Sequence, residues 1–176
     1  MTVTLLMLAF VAAAMPPRAA SASPATDRRA VAVVAVTVTF VAIAAFAVLS
    51  GPLLELLGVT GATSRIAAGI AVLAVAIKDI VVQPPSAEPS LPGRRAGVIP
   101  LAFPVLFTPA VAMLAVAGAS DRGVVVATGA AVPALVLVTG AIVAGPALGR
   151  RSLVVLGGCA AAAVAALVTL DGVYAI

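Results

Sequence analysis

Residues 30–51 read AVAVVAVTVTFVAIAAFAVLSG, 22 positions without a charge, and Asp27-Arg28-Arg29 stands directly before them. A helix that crosses a bilayer needs about 20 mostly apolar residues, and this stretch supplies them cleanly. Reading outward for further uncharged runs gives five more candidates. They are residues 2–20, with Pro16 and Pro17 inside; 62–83, carrying Arg65 and Lys78-Asp79; 98–119, holding Pro100, Pro104 and Pro109; 123–145, bent at Pro133; and 152–170. The longest polar connection, 84–97, is rich in Pro, Ser and Gly and too short to be a domain. The expectation is an all-α polytopic membrane protein with six transmembrane helices in a single domain, 1–176.

Composition says the same. Of 176 residues, 64% are hydrophobic, 9% charged and 3% aromatic, against about 45–50% apolar and about 25% charged in an ordinary soluble domain. A globule of this size has too little interior to hide so much apolar side chain. A soluble enzyme, a nucleic-acid binder and a disordered tail are therefore disfavoured, and lipid is the expected partner. There is no His and a single Cys, Cys159, which excludes an intrachain disulfide and a Cys/His metal site. No metal and no cofactor are expected.

The net charge of +4 is carried as short punctuation between apolar runs. Arg18, Arg28 and Arg29 follow the first segment, Lys78, Arg94 and Arg95 surround the third connection, and Arg150 and Arg151 follow the fifth segment. Only Arg65 and Arg122 fall on the opposite side. The positive-inside rule makes connections 1, 3 and 5 cytoplasmic and puts both termini outside, in a cell inner (plasma) membrane. A cleaved signal peptide is the rival for residues 1–22, since Ala20-Ser21-Ala22 resembles a cleavage site. Against it, no Lys or Arg precedes Leu5.

The two halves can be laid on each other. Leu8-Ala9-Phe10 followed by Pro16 recurs as Leu101-Ala102-Phe103 followed by Pro109; Asp27-Arg28 recurs as Asp121-Arg122; Gly51-Pro52 recurs as Gly145-Pro146; and Asp79 answers Asp171. These matches are collinear at one long period. They divide the chain into repeat one, about 1–83, a linker, about 84–97, and repeat two, about 98–176. Three spans per half force the second half to enter from the other side, giving a 3+3 inverted repeat. In secondary transporters that construction puts the site where Pro- or Gly-interrupted segments correspond. Segments one and four are such a pair.

A proline inside a helix removes an N–H and clashes with the carbonyl four residues back, yet suits the first turn of a new helix. Beyond Pro109 the N–H groups of Ala110, Val111 and Ala112 are expected to point along the axis unpaired. Such an end carries roughly half a positive charge and can hold a carboxylate. With the break about eleven residues in, it lies about 16 Å deep in a hydrocarbon core of about 30 Å. The candidate substrate-binding residues are Met15, Pro16, Pro17, Phe107, Thr108, Pro109 and Ala110. Pro133 alone reads as a packed kink.

VIPLAFPVLFTPA at 98–110 resembles the fourth segment of the MarC family of small membrane proteins, which typically reads PLAxPLLAGPGA. Arg65-Ile66-Ala67-Ala68-Gly69-Ile70, running on to Lys78-Asp79, resembles that family's third segment, and SPATDRRA at 23–30 is similar to its lead into segment two. The likeness runs from about Met15 to Asp171. It implies a six-span inner-membrane protein related to LysE-type exporters, some relatives of which are assigned transport of small neutral amino acids such as alanine and glycine. The chain also departs from the pattern. The family's Asn-Pro-x-Gly is here Met15-Pro16-Pro17-Arg18, and the Gly residues flanking its segment-four proline are Thr108 and Ala110. Loss of Gly restricts close backbone approach to a ligand, and loss of Asn removes a side-chain donor and acceptor.

Arg65 and Lys78 lie about 20 Å apart along a helix and are expected to snorkel toward opposite surfaces. The functional alternative makes Arg65 a gate residue or a contact for a substrate carboxylate, with Glu55 as its neighbour. Arg18 is read first as an anchor at a helix end, with a carboxylate contact as the alternative. Gly157-Gly158 with Ala161-Ala162 gives small-xxx-small spacing, a close contact either inside the bundle or at the seam of a homo-oligomer. No catalytic constellation meets the geometric tests for an active site, and no phosphate loop is present, so no enzyme is expected. The leading reading is a secondary transporter or exporter of a small solute, of which a small neutral amino acid is one class. The alternative is a non-transporting or degenerate family member acting as an assembly partner.

Overall fold

The computed structural model describes residues 1–14, 28–81, 98–144 and 151–176. Among them every regular element is helical. They are α1 (Val3–Ala14), α2 (Arg28–Val48), α3 (Ser50–Leu57), α4 (Gly61–Val81), a π-helix (Val98–Leu106), α5 (Pro109–Arg122), α6 (Val124–Ala144) and α7 (Arg151–Val173). Each uncharged run read from the sequence holds a helix, and in the fourth run the π-helix and α5 share it. By length and composition, three helices among the described residues can cross a membrane: Arg28–Val48, Val124–Ala144 and Ser152–Val173. Many large apolar side chains face outward, such as Val41, Ile70, Val136 and Leu156, as a lipid-facing surface requires.

α4 and α7 form the closest pair. Buried positions recur along α7 at Val154, Gly158, Ala161, Ala165, Val168 and Gly172, a stripe at helical spacing. Gly172 lies against Ala62 and Ile66, Gly69 against Ala165 and Thr169, and Gly158 against Ala76 and Ile80. Low numbers on one helix meet high numbers on the other, so the two run antiparallel. A Cβ on Gly158 would stand 2.7 Å from Ile80 Cγ1, and one on Gly172 would stand 2.9 Å from the Ile66 backbone nitrogen. The small-residue face of Gly158 and Ala161 therefore turns inward onto α4.

α5 is the central rod. Leu114 through Ala119 are all buried, a continuous run that only a helix covered on nearly every side can show. Near its C-terminal end Gly118 admits Leu6 of α1, whose Cδ2 a Cβ there would meet at 2.9 Å. α1 buries Leu6, Ala9, Phe10, Ala13 and Ala14.

α3 is an element that the sequence reading did not anticipate. Pro52 falls in its first turn, where a missing N–H does no harm. Gly58 ends it at φ 62, with its N–H on the Glu55 carbonyl and the Val59 N–H on the Leu54 carbonyl. That left-handed turn is where glycine has no Cβ penalty.

Candidate functional site

The fourth segment is interrupted. Its first part is a wide turn, in which the Phe107 N–H donates to the Ala102 carbonyl five residues back at 2.8 Å. Pro104 lies within this turn and has no N–H to give to a regular α-helical ladder. Thr108 then adopts extended backbone (φ −89°, ψ 161°), and α5 begins at Pro109.

Thr108 caps the new helix. Its Oγ1 accepts from the Val111 N–H at 3.3 Å, and its carbonyl accepts from the Ala112 N–H at 3.1 Å. The expectation of three unpaired N–H groups is thus corrected. Only the Ala110 N–H has no partner among the described residues. Thr followed by Pro is a cap-and-first-turn signature, so this correction was legible in the dipeptide. Such a cap contributes about 1 kcal/mol to the helix.

Two spaces flank the break. On the core side a cavity of about 10 Å³ is lined by Phe10, Ala14, Thr39, Leu106, Val111 and Ala134, among others, room for one water at most. It joins the end of α1 to the interruption in segment four. On the opposite side a mostly apolar groove of about 350 Å³ runs between α5 and the α3–α4 corner, with Pro109, Met113, Phe46 and Leu54 in its walls beside Thr63 and Ser64. Thr108 and Ala110 are buried, while Pro109 is exposed to the groove.

Aromatic side chains, scarce elsewhere, collect here. Phe107 meets Phe103 edge-on at 5.1 Å between ring centroids and Phe46 at 5.4 Å, and Phe10 lines the cavity. Four of the five phenylalanines of the chain thus surround the interruption. The 103/107 spacing was visible in the sequence; the approach of Phe46 and Phe10 from other helices was not.

Met15, Pro16, Pro17 and Arg18 lie outside the described residues. Arg65 does not pair with Glu55. Its guanidinium donates to Asp121 Oδ1 and, at 3.1 Å, to Asp171 Oδ2. The Met1 amine adds contacts to Asp121 at 2.7 Å and Asp171 at 3.2 Å, and the Arg122 Nε–H donates to the Met1 carbonyl at 2.9 Å. Glu55 was the nearest acid in sequence, whereas the true partners come from α5 and α7. This network gathers the start of α4, the ends of α5 and α7 and Met1, two residues ahead of α1, at one end of the bundle. At the other end of α4, Lys78 is exposed and Asp79 is buried, on different faces.

A family model described as MarC family integral membrane protein matches residues 4–168, nearly the whole chain. The chain belongs to the MarC family. It is accordingly a multi-pass integral membrane protein, and the likeness read at 98–110 falls on the interrupted segment of this MarC protein. Comparison with curated proteins and with solved structures gave no match.

Proposed function

We propose that this MarC protein is a six-span secondary transporter or exporter of a small solute, with small neutral amino acids the first class to test. Transport, not catalysis, is the activity proposed. The observation that carries the reading is the interruption at Phe107–Pro109, which opens a helix N-terminus toward the core beside the end of α1. One N–H there, that of Ala110, has no partner among the described residues, and the positive end of the α5 dipole favours a carboxylate.

An inverted 3+3 arrangement is part of the proposal, and the packing supports it. The third helices of the two halves, α4 and α7, run antiparallel. α1 packs on α6 and α7, while its counterpart, the π-helix with α5, packs on α2 and α4, and α5 also touches α6 and α1. The distribution of positive charge supports a cytoplasmic location for connections 1, 3 and 5 in a cell inner membrane, with the end that gathers Met1, Arg65, Asp121 and Asp171 outside. A reporter active only in the cytoplasm, inserted into the 84–97 connection, is expected to be active; activity only of a reporter specific for the external side reverses the orientation.

A second reading, a family member that does not transport and serves as an assembly partner, draws on the small size of the core-side cavity and on the self-capping of Thr108. Purified full-length protein in vesicles separates the two. Radiolabelled alanine, glycine and a panel of other small solutes should include at least one that enters tenfold faster than into empty vesicles. Uptake at the empty-vesicle rate across the panel favours the assembly partner.

A further inference from the structure

We propose that the Arg65–Asp121 ion pair is a releasable latch that holds α5 closed over the path to the break, while the Arg65–Asp171 pair is a fixed anchor. The inference rests on the transport reading and adds the device that controls access to its site.

Four features meet in one element. α5 is 14 residues long, a rod of about 21 Å. At its N-terminal end the extended Thr108 interrupts the helical ladder and serves as a pivot, although its N–H donates to the Leu106 carbonyl and it caps α5 through Val111 and Ala112. At its C-terminal end Gly123 (φ 85°) is a second pivot, in a backbone region that side chains with a Cβ rarely enter. Asp121 occupies the last turn of the rod and meets Arg65 of α4. Along its length Pro109, Ala112, Met113 and Val116 face the 350 Å³ apolar groove, the space into which the rod can swing.

The division between latch and anchor follows from the packing. α4 and α7 are locked by the contacts at Gly69 and Gly172, where backbone meets backbone with no room for a methyl group, and by the close approach of Ile80 to Gly158. Arg65 and Asp171 sit on these two helices and stay together in any motion that keeps the seam. Asp121 sits on α5, which is buried along most of its length but whose close contacts at Gly118 are to the side chains of Leu6 and Ala127 and not to backbone, so it is the partner that leaves.

The network is also built to yield. The side chains of Arg65 and Asp121 are only 14% and 15% exposed, and the buried Arg65 Nε has no hydrogen-bond partner in the described network. A largely desolvated guanidinium with one donor unused gains less from its pairs than a fully satisfied one. Asp171, at 29% exposed, touches both Arg65 and the buried Met1 amine and so keeps both cations compensated when Asp121 departs.

The test places a thiol at the break. Cys159, exposed on α7, is replaced by Ser, and Ala110, fully buried, by Cys. The full-length protein in right-side-out vesicles is then treated with a membrane-impermeant maleimide, which reacts only with a thiolate reached by water. Asp121→Asn is expected to speed labelling at least tenfold, Asp171→Asn less than threefold, and Asp121→Glu to restore the slow rate. Equal acceleration by Asp121→Asn and Asp171→Asn, or none by either, overturns the latch. Solute uptake is measured in parallel on protein that keeps Ala110, since Ala110 is itself a candidate binding residue. Uptake without the labelling pattern removes the latch and leaves transport standing; the labelling pattern without uptake of any solute keeps the latch and removes transport.

Discussion

Gly69→Ala is expected to cost about 3 kcal/mol or more of stability, toward the upper end for overpacked cores. Thermal unfolding in detergent should come about 10 °C lower. The added methyl group would collide with the Thr169 side chain and stand 2.8 Å from the Thr169 backbone nitrogen and 3.0 Å from the Ala165 carbonyl. A hydroxyl can rotate away; two backbone atoms of a packed helix cannot, so α4 and α7 must part. Gly140→Ala on α6 is the control, because a Cβ there meets nothing within 4 Å. There the helix gains up to about 1 kcal/mol of propensity. Melting midpoints that fall alike in both variants would show that the seam is not what holds the bundle together.

Pro109→Ala is expected to lower solute flux at least tenfold at equal expression, and Pro133→Ala to change it less than twofold. The two prolines have different jobs. Pro133 sits inside the unbroken helix α6, where alanine restores an ordinary helical N–H and removes a ring clash with the Gly129 carbonyl. Pro109 opens a helix after an extended residue. Alanine there supplies an N–H that can continue the ladder from the preceding turn, and a continuous rod has no free helix end for a solute carboxylate. Equal losses in the two variants would make both prolines simple kinks.

Much of the architecture could be read from charge-free runs alone. The run at 30–51 meets a helix at Arg28–Val48, and the run at 123–145 meets one at Val124–Ala144, because twenty apolar residues flanked by arginines have few other ways to satisfy their backbone. α3 escaped that logic. Gly51-Pro52 looks like the end of a span, and only the left-handed turn at Gly58 and the packing of Leu53 and Leu54 over the groove make a helix of Ser50–Leu57. The interruption at Pro109 is legible from proline chemistry; its self-capping is less so, because the family pattern marks Thr108 as a lost glycine, whereas it acts as a hydroxyl before a first-turn proline. The ion network shows the limit of local reading. Asp121 and Asp171 stood out as repeat counterparts of Asp27 and Asp79, but nothing along the chain joins them to Arg65, which lies 56 and 106 positions away. Only the fold brings the ends of α5 and α7 to the start of α4.

The gathering of phenylalanines around the interruption has an optical consequence. The chain contains no tryptophan, and its lone tyrosine, Tyr174, projects 87% exposed beyond the last helix. The interior is therefore dark to fluorescence excited near 295 nm, a wavelength at which indole absorbs and phenyl rings do not. One indole introduced at Phe107 would emit against an empty background, with its colour reporting how wet the surroundings of the interruption are.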